Sequence, residues 1–485
     1  MRVLFVVSTP SGIEPLGVML LSAICRRHGH ETFLAVSRRP GALLTAAQRF
    51  NPDAVAYSMA SADMDHLKDA DRPLVEWLSQ KRGRPVLRIM GGPHPTYCPE
   101  ILDEMRLDAI CQGDGDEALP EVLRRWEADE SLDGIPNISL TSADAPLRHL
   151  VTDLDALPFP DRDLYYRAVP YARLSGLRSF HTGRGCPYKC TYCFNHVYNR
   201  KFGGLGPLLR RRSVGNVLEE IERVVAEQPP VRMLRFSDDV FVFRPDDWIR
   251  EFVEEYPRRV GVPFYCLMRS NTFTEETAEL LSRAGCRAVG MSIEAGGEHV
   301  RNAVLKRQLS NRDVEASFAV AKKFGIRTYA STLVGIPGTT LSDDFESLEF
   351  VRKVRPTAPL FSITSPYKGT IMWEEAVRDG HLPPDSSPDT HLFSGVTELN
   401  CFSPQDKRTH QRIFALGPLY ANLPAPLHHV IMRLIRTRFP LPEQLLKSFG
   451  LAYYSYRLAT RIFPQAIPRS PRAMLHAVMD NIRHL

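Results

Sequence analysis

The sequence predicts an α/β protein that has two successive parallel sheets and a mainly helical C-terminal region. Short apolar strands alternate with amphipathic helices over residues 1–127, and the same alternation resumes over residues 177–380. Repeated βα units give parallel strands, because the helix between two strands carries the chain back to the same edge of the sheet. We therefore expect a doubly wound, Rossmann-like parallel sheet first and a partial (β/α)6 barrel of the TIM type second, followed by a helical cap.

A chain of 485 residues is longer than one ordinary domain. The changes of pattern divide it into a first domain at residues 1–139, a linker at 140–176, a second domain at 177–382 and a helical region at 383–485. Residues 153–160 are punctuated by prolines and show neither the helical nor the strand period, so the linker is expected to be irregular.

In the first domain, each expected strand leads into a helix with one apolar face. Residues 3–7 form a continuous apolar run, which is typical of a strand covered on both faces. Leu16, Leu20 and Ile24 recur at helical spacing, and this helix is expected to end near Gly29. The further elements expected here are strands at 32–36, 54–58, 86–90 and 109–111, helices at 42–50 and 66–81, and a helix that ends near 127.

The second domain repeats the strand–helix unit six times, counting the apolar stretch at 177–182 as its first strand. The other strands are expected at 233–236, 264–268, 288–293, 328–334 and 360–364, and the main helices at 214–225, 248–256, 275–284, 313–324 and 343–354. In such a barrel, the chemistry is expected at the carboxyl ends of the strands.

The composition, with 44% apolar and 24% charged residues, is that of a globular protein. The N-terminal apolar run is too short for a signal peptide, and no stretch reaches the length of a membrane span. Nine cysteines without a secretion signal favour the reducing cytoplasm. The net charge of +5 is uneven, since residues 401–485 carry 12 Lys and Arg against 3 Asp and Glu. No basic run is interleaved with stacking aromatics, so nucleic acid is not an expected partner.

Three cysteines form the pattern that most constrains the function. Cys186, Cys190 and Cys193 have Cys-x3-Cys-x2-Cys spacing in a loop after the first strand of the second domain, so their thiolates can converge on one metal centre. A structural zinc usually takes four ligands from two Cys-x2-Cys pairs, and no second pair is found. An iron–sulfur cube held by three cysteines leaves one iron open to a ligand that is not protein. A redox-inert thiol loop or a partial zinc site is the alternative.

With Tyr192 directly before its last cysteine, this motif resembles the cluster motif of the radical S-adenosylmethionine (SAM) enzymes. The resemblance implies that Cys186, Cys190 and Cys193 bind a [4Fe–4S] cluster whose open iron is chelated by SAM. It also implies reductive cleavage of SAM to methionine and a 5′-deoxyadenosyl radical, which abstracts a hydrogen atom from an unactivated carbon. The cofactor supplies this step, while the protein orients it and excludes solvent.

The same resemblance implies that further SAM contacts come from strand ends of the second domain. Tyr192 would lie on the adenine side, and Asp238 would lie near the methionine amine. Gly335 and Pro337 belong to a Gly-Ile-Pro-Gly turn where the backbone could approach the adenine closely. For Asp238 and the adjacent Asp239, capping of a following helix is the alternative.

Two charged residues complete the expected SAM contacts. Glu294 ends the fourth strand and would make a polar contact, such as one to the ribose; an ion pair at the barrel rim is the alternative. Arg307 could reach the SAM carboxylate, with solvation at the surface as the alternative. In the basic group at 210–212, one arginine could help to position an anion, while the rest is interpreted as solvated surface.

The expected carboxyl-end loops of the first domain are rich in small residues, but none is a Walker loop or a G-x-G-x-x-G fingerprint. Beside the cysteine motif, the Gly-Gly-Pro-His-Pro-Thr stretch at 91–96 and the Gly-Asp-Gly-Asp-Glu loop at 113–117 resemble the cobalamin-binding domain of the cobalamin-dependent radical SAM family. The residues expected to contact cobalamin are Ser8, Thr9, Gly12, Ser58, Gly91, Gly92, His94 and Gly113.

The loop after the first strand departs from that of the proteins that ligate cobalt with a histidine. Those proteins carry Asp-x-His-x-x-Gly, whereas this loop reads Ser-Thr-Pro-Ser-Gly from residue 8. The resemblance thus implies binding without a histidine ligand from this loop, and it does not identify the lower cobalt ligand. His94 is interpreted as a contact to the periphery of the ligand rather than to cobalt. A sheet that has lost its ligand or binds a partner is the alternative.

The C-terminal region is expected to form helices at 411–421, 428–436, 444–460 and 471–484. An apolar stripe at helical spacing runs along the third of them and comprises Leu445, Leu446, Phe449, Tyr453 and Tyr456. We interpret the region as a cap over the open barrel that shapes the substrate pocket. The alternative is a basic, aromatic surface that contacts an anionic membrane or a hydrophobic substrate.

The resemblances together imply a cytoplasmic, cobalamin-dependent radical SAM enzyme. The favoured activity is methylation of an unactivated carbon in a small-molecule or lipid-like metabolite, with methylcobalamin and two SAM molecules consumed. A non-methylating cyclase or ring-rearrangement enzyme is the first alternative, and a cobalamin- or cluster-based sensor without turnover is the second. The implied partner is an external low-potential electron donor such as flavodoxin or ferredoxin.

Overall fold

A computed structural model describes residues 1–8, 14–37, 41–81, 83–384, 386 and 395–466. The chain forms two compact units. The first comprises Met1–Arg173 and Tyr198–Arg210, and the second comprises Leu174–Val197 and the described chain from Arg211 onward.

The first unit is built on a six-stranded sheet in the order β2-β1-β3-β4-β5-β6, in which only β6 is antiparallel. Its strands are β1 Arg2–Val7, β2 Glu31–Val36, β3 Ala54–Ser58, β4 Leu87–Gly91, β5 Ala109–Cys111 and β6 Ile138–Ser139. Its helices are α1 Leu16–Arg27, α2 Ala42–Phe50, α3 Met64–Gln80, α4 Pro93–Tyr97, α5 Ile101–Glu104, α6 Ala118–Glu127 and α7 Arg162–Ala168. The expected doubly wound parallel sheet is confirmed; the two-residue β6 is an antiparallel addition that the sequence did not predict.

The apolar run in β1 is divided between two cores, one on each face of the sheet. Val3, Phe5 and Val7 pack with α1, α6 and α7, whereas Leu4 and Val6 pack with α2 and α3. This alternation follows from the two-residue period of a strand, and it explains why every residue of the run is apolar. Because β1 lies between β2 and β3, the winding direction reverses between β1 and β3, which is where sheets of this type bind ligands.

The expected linker at 140–176 is packed rather than free. Helix α7 begins after Asp161, whose side chain accepts the Leu164 N–H at 3.2 Å, and Leu164, Tyr165 and Tyr166 enter the core of the first unit. Residues up to Arg173 therefore belong to the first compact unit, which extends beyond the expected boundary at 139. The prolines mark irregular backbone, but they do not prevent the neighbouring apolar side chains from being buried.

The second unit is built on an open sheet of six parallel strands in the order β14-β13-β12-β11-β10-β7. Its strands are β7 Leu177–Phe180, β10 Met233–Phe236, β11 Phe264–Leu267, β12 Cys286–Gly290, β13 Arg327–Val334 and β14 Ala358–Ile363, with two-residue strands β8 Gly183–Arg184 and β9 Arg210–Arg211 between the first two. The helices are α9 Val214–Glu227, α10 Asp247–Arg259, α11 Glu275–Ala284, α12 Asn311–Lys323, α13 Leu341–Val354 and α14 Ile371–Arg378. Helix α8 Phe194–Phe202 begins in this unit, and its residues from Tyr198 onward are counted with the first unit. Six strands in chain order are the arrangement expected of a partial barrel.

The helices of this unit begin at side-chain caps that follow the strand-end loops. Ser213, Asp246, Thr274 and Ser310 each accept the backbone N–H three residues later, at 3.0–3.2 Å. Each cap satisfies one of the free N–H groups at a helix start and so fixes where the loop ends. The carboxyl edge of the sheet is thereby held in place.

After α14, the described residues form three further α-helices: α15 Pro404–Asn422, α16 Ala425–Arg436 and α17 Glu443–Arg457. Twelve of the nineteen residues of α15 are buried, and several of them join the main core of the unit. Helix α17 buries Gly450, Leu451 and Tyr454. The expected helix at 471–484 lies outside the described residues. In the part of the chain that the structure describes, no helix has both the length and the apolar character required to cross a membrane.

Candidate active site

The cysteine loop lies at the carboxyl end of β7, as predicted. Cys186 and Cys190 are buried, and Cys193 is half-buried. Thr191, which is 1% exposed, fixes the loop: its N–H donates to the Leu305 carbonyl at 3.2 Å and its hydroxyl donates to the Val304 carbonyl at 2.9 Å. The loop is therefore anchored from within, at the residue between two of the cysteines.

The three motif cysteines are the thiols that would hold a cluster. Within the described ranges, no set of three or more His, Cys, Asp or Glu side chains is arranged to hold one metal ion. Burial raises the pKa of the Cys186 thiol to about 11 and that of the Cys193 thiol to about 12. Cluster binding must therefore displace protons from these thiols.

Asp238 follows β10 and supports the residues that lead into the cysteine loop. Its Oδ1 accepts the N–H groups of Thr182 at 2.9 Å and Gly183 at 2.7 Å, and also the Thr182 hydroxyl. Burial raises the pKa of the Asp238 carboxyl. Its Oδ2 and the Ser237 hydroxyl are buried and have no hydrogen-bond partner among the described residues. Both oxygens can therefore still accept a hydrogen bond.

Tyr192, Glu294 and Arg307 are brought together by the fold. Glu294 Oε1 accepts the Tyr192 hydroxyl at 3.2 Å and Arg307 Nη1 at 3.4 Å, and Arg307 Nη1 also donates to the Tyr192 oxygen. Arg307 Nη2 donates to the Ser292 carbonyl at 3.0 Å. Glu294 is buried and has a φ of +64°, a left-handed conformation that is strained for a residue other than glycine. Burial raises the pKa of its carboxyl, against the opposing effect of Arg307.

Gly335 and Pro337 lie in the turn after β13. Gly335 has a φ of +65°, and its N–H donates to Asp344 Oδ1 at 3.0 Å. The other oxygen of Asp344 lies 2.9 Å from Nε2 of His410, which is fully buried on α15. A Cβ at Gly335 would lie 3.0 Å from the His410 ring, so this position requires glycine because of the histidine as well as the backbone.

The sequence did not identify several residues that shape this site. Thr191, Asp344 and His410 act through hydrogen bonds between segments that are far apart in the chain, which no local pattern reveals. Arg269 follows β11, and its Nη1 lies 4.0 Å from Cys190 Sγ. A basic residue just after a barrel strand was a signal that could have identified Arg269, because barrel sites form at those strand ends.

In the first unit, the loops after β3 and β4 are joined at one edge of the sheet. The His94 N–H donates to the Met59 carbonyl at 3.1 Å, and His94 Nδ1 lies 3.0 Å from the Ser61 hydroxyl. Gly92 has a φ of +93°, and a Cβ there would lie 3.1 Å from the Met59 carbonyl and 3.4 Å from the Ser58 hydroxyl. The structure thus brings Ser58, Gly92 and His94 together, with Gly91 at the end of β4. This edge presents small residues and hydroxyls, which suits a bulky polar ligand.

Gly113 lies beside a buried aromatic ring that leaves no space for a side chain. Its N–H donates to Thr96 Oγ1 at 3.0 Å, so it belongs to the same edge. Its φ is +88°, and a Cβ would lie 2.3 Å from the fully buried ring of Phe202. The next residue, Asp114, pairs with Arg210 at 2.9 Å. The Cβ side of Gly113 is therefore occupied by protein.

The loop after β1 is described at its two ends. Ser8 is buried, and its carbonyl accepts the Ser37 hydroxyl at 3.4 Å; Thr9 and Gly12 lie outside the described residues. At the far end of the loop, Glu14 is buried against α7, where it pairs with Arg162 at 3.0 Å and accepts the Tyr166 hydroxyl. Glu14 is thus held by a helix from the expected linker, which the sequence did not predict.

Comparison with known families divides the chain in the same way. Residues 2–123 match the model of the B12 binding domain, and residues 180–351 match the model of the Radical SAM superfamily. The Cys-x3-Cys-x2-Cys loop lies at the start of the second match, and the glycine-rich strand-end loops lie inside the first. The fold and its two sites define a protein that combines a cobalamin-binding domain with a radical SAM domain.

Several methyltransferases are similar to this chain in sequence or in structure. An uncharacterised methyltransferase of Pyrococcus horikoshii is 26% identical over 385 residues, which cover 76% of this chain and 79% of the relative. The cytidylyl-2-hydroxyethylphosphonate methyltransferase of Streptomyces wedmorensis is 23% identical, with 78% and 80% covered. The solved structure of the radical SAM methyltransferase TsrM from Kitasatospora setae, with cobalamin and a [4Fe–4S] cluster bound, aligns with a TM-score of 0.67 over 99% of both chains at 17% identity, which shows a shared fold. The chain therefore contains one region that matches the B12 binding domain and one that matches the Radical SAM superfamily, and it is similar in sequence to methyltransferases.

Proposed function

We propose that this protein is a cobalamin-dependent radical SAM methyltransferase that methylates an unactivated carbon of a small-molecule or lipid-like metabolite. The observation that carries the proposal is the anchored three-cysteine loop at the carboxyl edge of the second sheet, in a chain that also has a B12 binding domain. The methyltransferase relatives, which match more than three-quarters of the chain, support methylation over cyclisation.

The predicted cluster and SAM contacts of the second unit each have a role in this proposal. The bound cluster and SAM would supply a hydrogen-abstracting adenosyl radical, and cobalamin would carry the methyl group. Cys186, Cys190 and Cys193 hold three irons and leave the fourth open to SAM. Asp238 Oδ2 and the Ser237 hydroxyl accept the methionine amine, which satisfies two oxygens that otherwise lack partners.

The remaining SAM contacts orient the nucleoside. Tyr192 and Glu294 lie on the adenosyl side, and their hydrogen bond links the cysteine loop to the strand ends. Gly335 and Pro337 present backbone to the adenine. Arg307 already uses both terminal nitrogens on protein partners, so we assign it mainly to the orientation of Tyr192 and Glu294.

In the first unit, cobalamin binds at the strand-end edge where the winding direction reverses. Ser8, Ser58, Gly91, Gly92 and His94 form the described part of this site, and the predicted contacts Thr9 and Gly12 lie outside the described residues. His94 is already in contact with Ser61, which favours a role at the periphery of the ligand rather than as a cobalt ligand. Gly113 contributes by its backbone position.

We also propose an electron donor for the cluster and a cytoplasmic location for the protein. A low-potential donor such as flavodoxin or ferredoxin would reduce the cluster, and the reducing cytoplasm would keep the motif cysteines available as thiolates. All nine cysteines are free thiols in the structure, which is compatible with that compartment.

Product analysis with methyl-deuterated SAM tests the methyltransferase. Anoxically reconstituted protein, with cobalamin, a low-potential reductant and an extract of the source organism as a substrate pool, is expected to form 5′-deoxyadenosine and S-adenosylhomocysteine together and to transfer deuterium into a new metabolite. 5′-Deoxyadenosine without label transfer would instead indicate a cyclase or rearrangement enzyme. Labelled product without 5′-deoxyadenosine would show that methyl transfer does not use the adenosyl radical. Absence of both products, with cluster and cobalamin loading confirmed by absorption spectra, would favour a sensor.

We also propose that the outer face of α17 contacts an anionic membrane. Leu445, Phe449 and Tyr456 lie along one side of the helix and are between 58% and 69% exposed, and Phe439 just before the helix is 78% exposed. Exposed apolar side chains grouped in this way are typical of an interaction surface. The acidic residue of this segment, Glu443, is already paired with Arg412. Exposed arginines nearby, at 433, 436 and 438, would attract anionic lipid.

Sedimentation with vesicles tests this surface. The protein is expected to bind vesicles that contain anionic phosphatidylglycerol at low salt, and to be released as the salt concentration rises, because screening weakens surface charge interactions. The double variant Leu445→Ser/Phe449→Ser should lose most of the binding, whereas Val225→Ser, at an exposed apolar residue on α9, should keep it. If the unaltered protein stays in the supernatant at low salt, the membrane proposal is wrong.

A further inference from the structure

Arg269 occupies a distinctive position beside the cysteine loop. It is 5% exposed and follows β11 at the carboxyl edge of the second sheet. Its guanidinium carbon lies 3.8 Å from the centroid of the Tyr188 ring, within the range of a cation–π contact, and its Nε donates to Asn271 Oδ1 at 3.0 Å. These contacts fix the plane of the guanidinium and leave Nη1 directed toward Cys190 Sγ, at 4.0 Å.

The charge on Arg269 lacks a partner of opposite sign. In the described part of the chain, no carboxylate forms an ion pair with it, although other buried arginines of the same unit, such as Arg307 and Arg412, have Glu294 and Glu443. Burial and the neighbouring Arg307 lower the pKa of Arg269. A guanidinium nevertheless stays protonated in proteins, so a buried positive charge remains without a compensating group. An isolated buried charge is costly unless a counter-charge is bound.

The motif supplies that counter-charge when its thiols become cluster ligands. Three cysteine ligands bind as thiolates, and Cys190 is the one that Arg269 faces. A charge-assisted N–H···S contact at this site would stabilise negative charge on the sulfur, and hydrogen bonds to ligand sulfurs and local charge are among the features that set the potentials of such clusters. Only the presence of a cluster at the motif is taken from the proposed function.

We propose that Arg269 is a positioning residue for the cluster, which compensates the Cys190 thiolate and makes one-electron reduction of the cluster easier. In that reduction, a single electron passes from the external donor to the cluster, and no bond of the protein is formed or broken. The added negative charge is stabilised by the adjacent guanidinium, so the cation favours the reduced form. Tyr188 and Asn271 act through Arg269 by holding its plane.

A redox titration of the reconstituted protein tests the proposal without any methyl transfer. The midpoint potential would be measured by electron paramagnetic resonance in the absence of SAM and substrate, for the unaltered protein, Arg269→Gln and Arg269→Lys. Arg287→Gln, which removes an exposed arginine on β12, controls for the change in net charge. At the potential that half-reduces the unaltered protein, the reduced fraction in Arg269→Gln is expected to be several times smaller, with Arg269→Lys between the two and Arg287→Gln unchanged.

The midpoint potentials of the variants either support or overturn the role of Arg269. A lower midpoint in Arg269→Gln, with the control unchanged, supports the assignment even if the enzyme proves not to be a methyltransferase. An unchanged midpoint at full iron content overturns it, and a weaker equilibrium affinity for SAM in the same variant would then assign the cation to the SAM carboxylate. If Arg269→Gln does not take up a cluster, the midpoint potential of Arg269→Lys is the deciding measurement. A lower midpoint potential in Arg269→Lys than in the unaltered protein supports the proposal, and an unchanged midpoint potential overturns it.

Discussion

Replacement of Cys190 by serine is expected to remove cluster binding and to reduce 5′-deoxyadenosine formation to background. The loop has three cysteines for three irons, and no other described side chains around it form a metal-binding set that could substitute. A serine hydroxyl at this buried position is a poor ligand because it is not ionised near neutral pH, unlike a metal-bound thiol. Iron and sulfide content, the absorption band of the cluster, and 5′-deoxyadenosine measured by mass spectrometry would be compared with the unaltered protein.

Cys401 provides the matched control, since it is an exposed cysteine of the same unit outside the motif. Cys401→Ser should retain full iron content and full 5′-deoxyadenosine formation. The circular dichroism spectra of both apoproteins should match that of the unaltered apoprotein, because Thr191 anchors the loop through its own hydrogen bonds rather than through the thiols. Retention of a full cluster by Cys190→Ser would contradict the assignment of the motif.

Replacement of Glu294 by alanine is expected to have the second-largest effect. It removes the carboxylate from a pair in which both side chains are less than 10% exposed, and it leaves Arg307 charged and buried. Breaking one side of such a pair typically costs about 3–5 kcal/mol. Because Tyr192 also loses its acceptor, the affinity for SAM should fall along with the free energy of unfolding of the second unit. Urea-dependent hydrogen exchange of residues 286–334 would report the stability, and calorimetric titration would report SAM binding.

Two further variants show whether a loss of stability in Glu294→Ala comes from the unpaired buried charge. Glu222→Ala breaks an ion pair of the same unit that is about one-third exposed, so it should change the stability little. The double variant Glu294→Ala/Arg307→Met removes both charges and should recover part of the stability lost in the single variant, since the uncompensated cation is gone. If Glu294→Ala lowers the free energy of unfolding as little as Glu222→Ala does, the Glu294–Arg307 pair contributes no more to stability than an exposed ion pair.

The strands and main helices were predictable because their patterns are local. The apolar run of β1 and the stripe of α9 each contain within a few residues the information that defines the element. Strand β6, with two residues, and helix α7, which lies between irregular segments, carry too little periodicity to be read. The packing of α7 depends on Glu14, 148 residues before its partner Arg162, and no sequence window contains both.

The parts of the candidate site that form local sequence patterns were also predictable. Three cysteines within eight residues are visible as a motif, and the strand-end glycines follow from the βα pattern. The glycines have causes that only the structure supplies, such as the Phe202 ring beside Gly113. The outward direction of Leu445 and Phe449 could not be read from their spacing either, because Leu446 and Tyr453 on the same helix pack against the core.

The depth at which α15 is packed determines where the catalytic unit can be divided. The Radical SAM match ends at residue 351, but α15 lies so close to β14 that a Cβ at Gly417 would come within 2.5 Å of the Phe361 ring. The same helix carries His410, which contacts Asp344 and the turn at Gly335. A fragment cut at the family boundary would therefore lose part of its own core and the histidine that contacts the turn at Gly335. The smallest catalytic fragment that can fold independently is therefore expected to extend at least through α15. In evolution, the segment beyond residue 351 is expected to change together with the barrel and not to be exchanged separately.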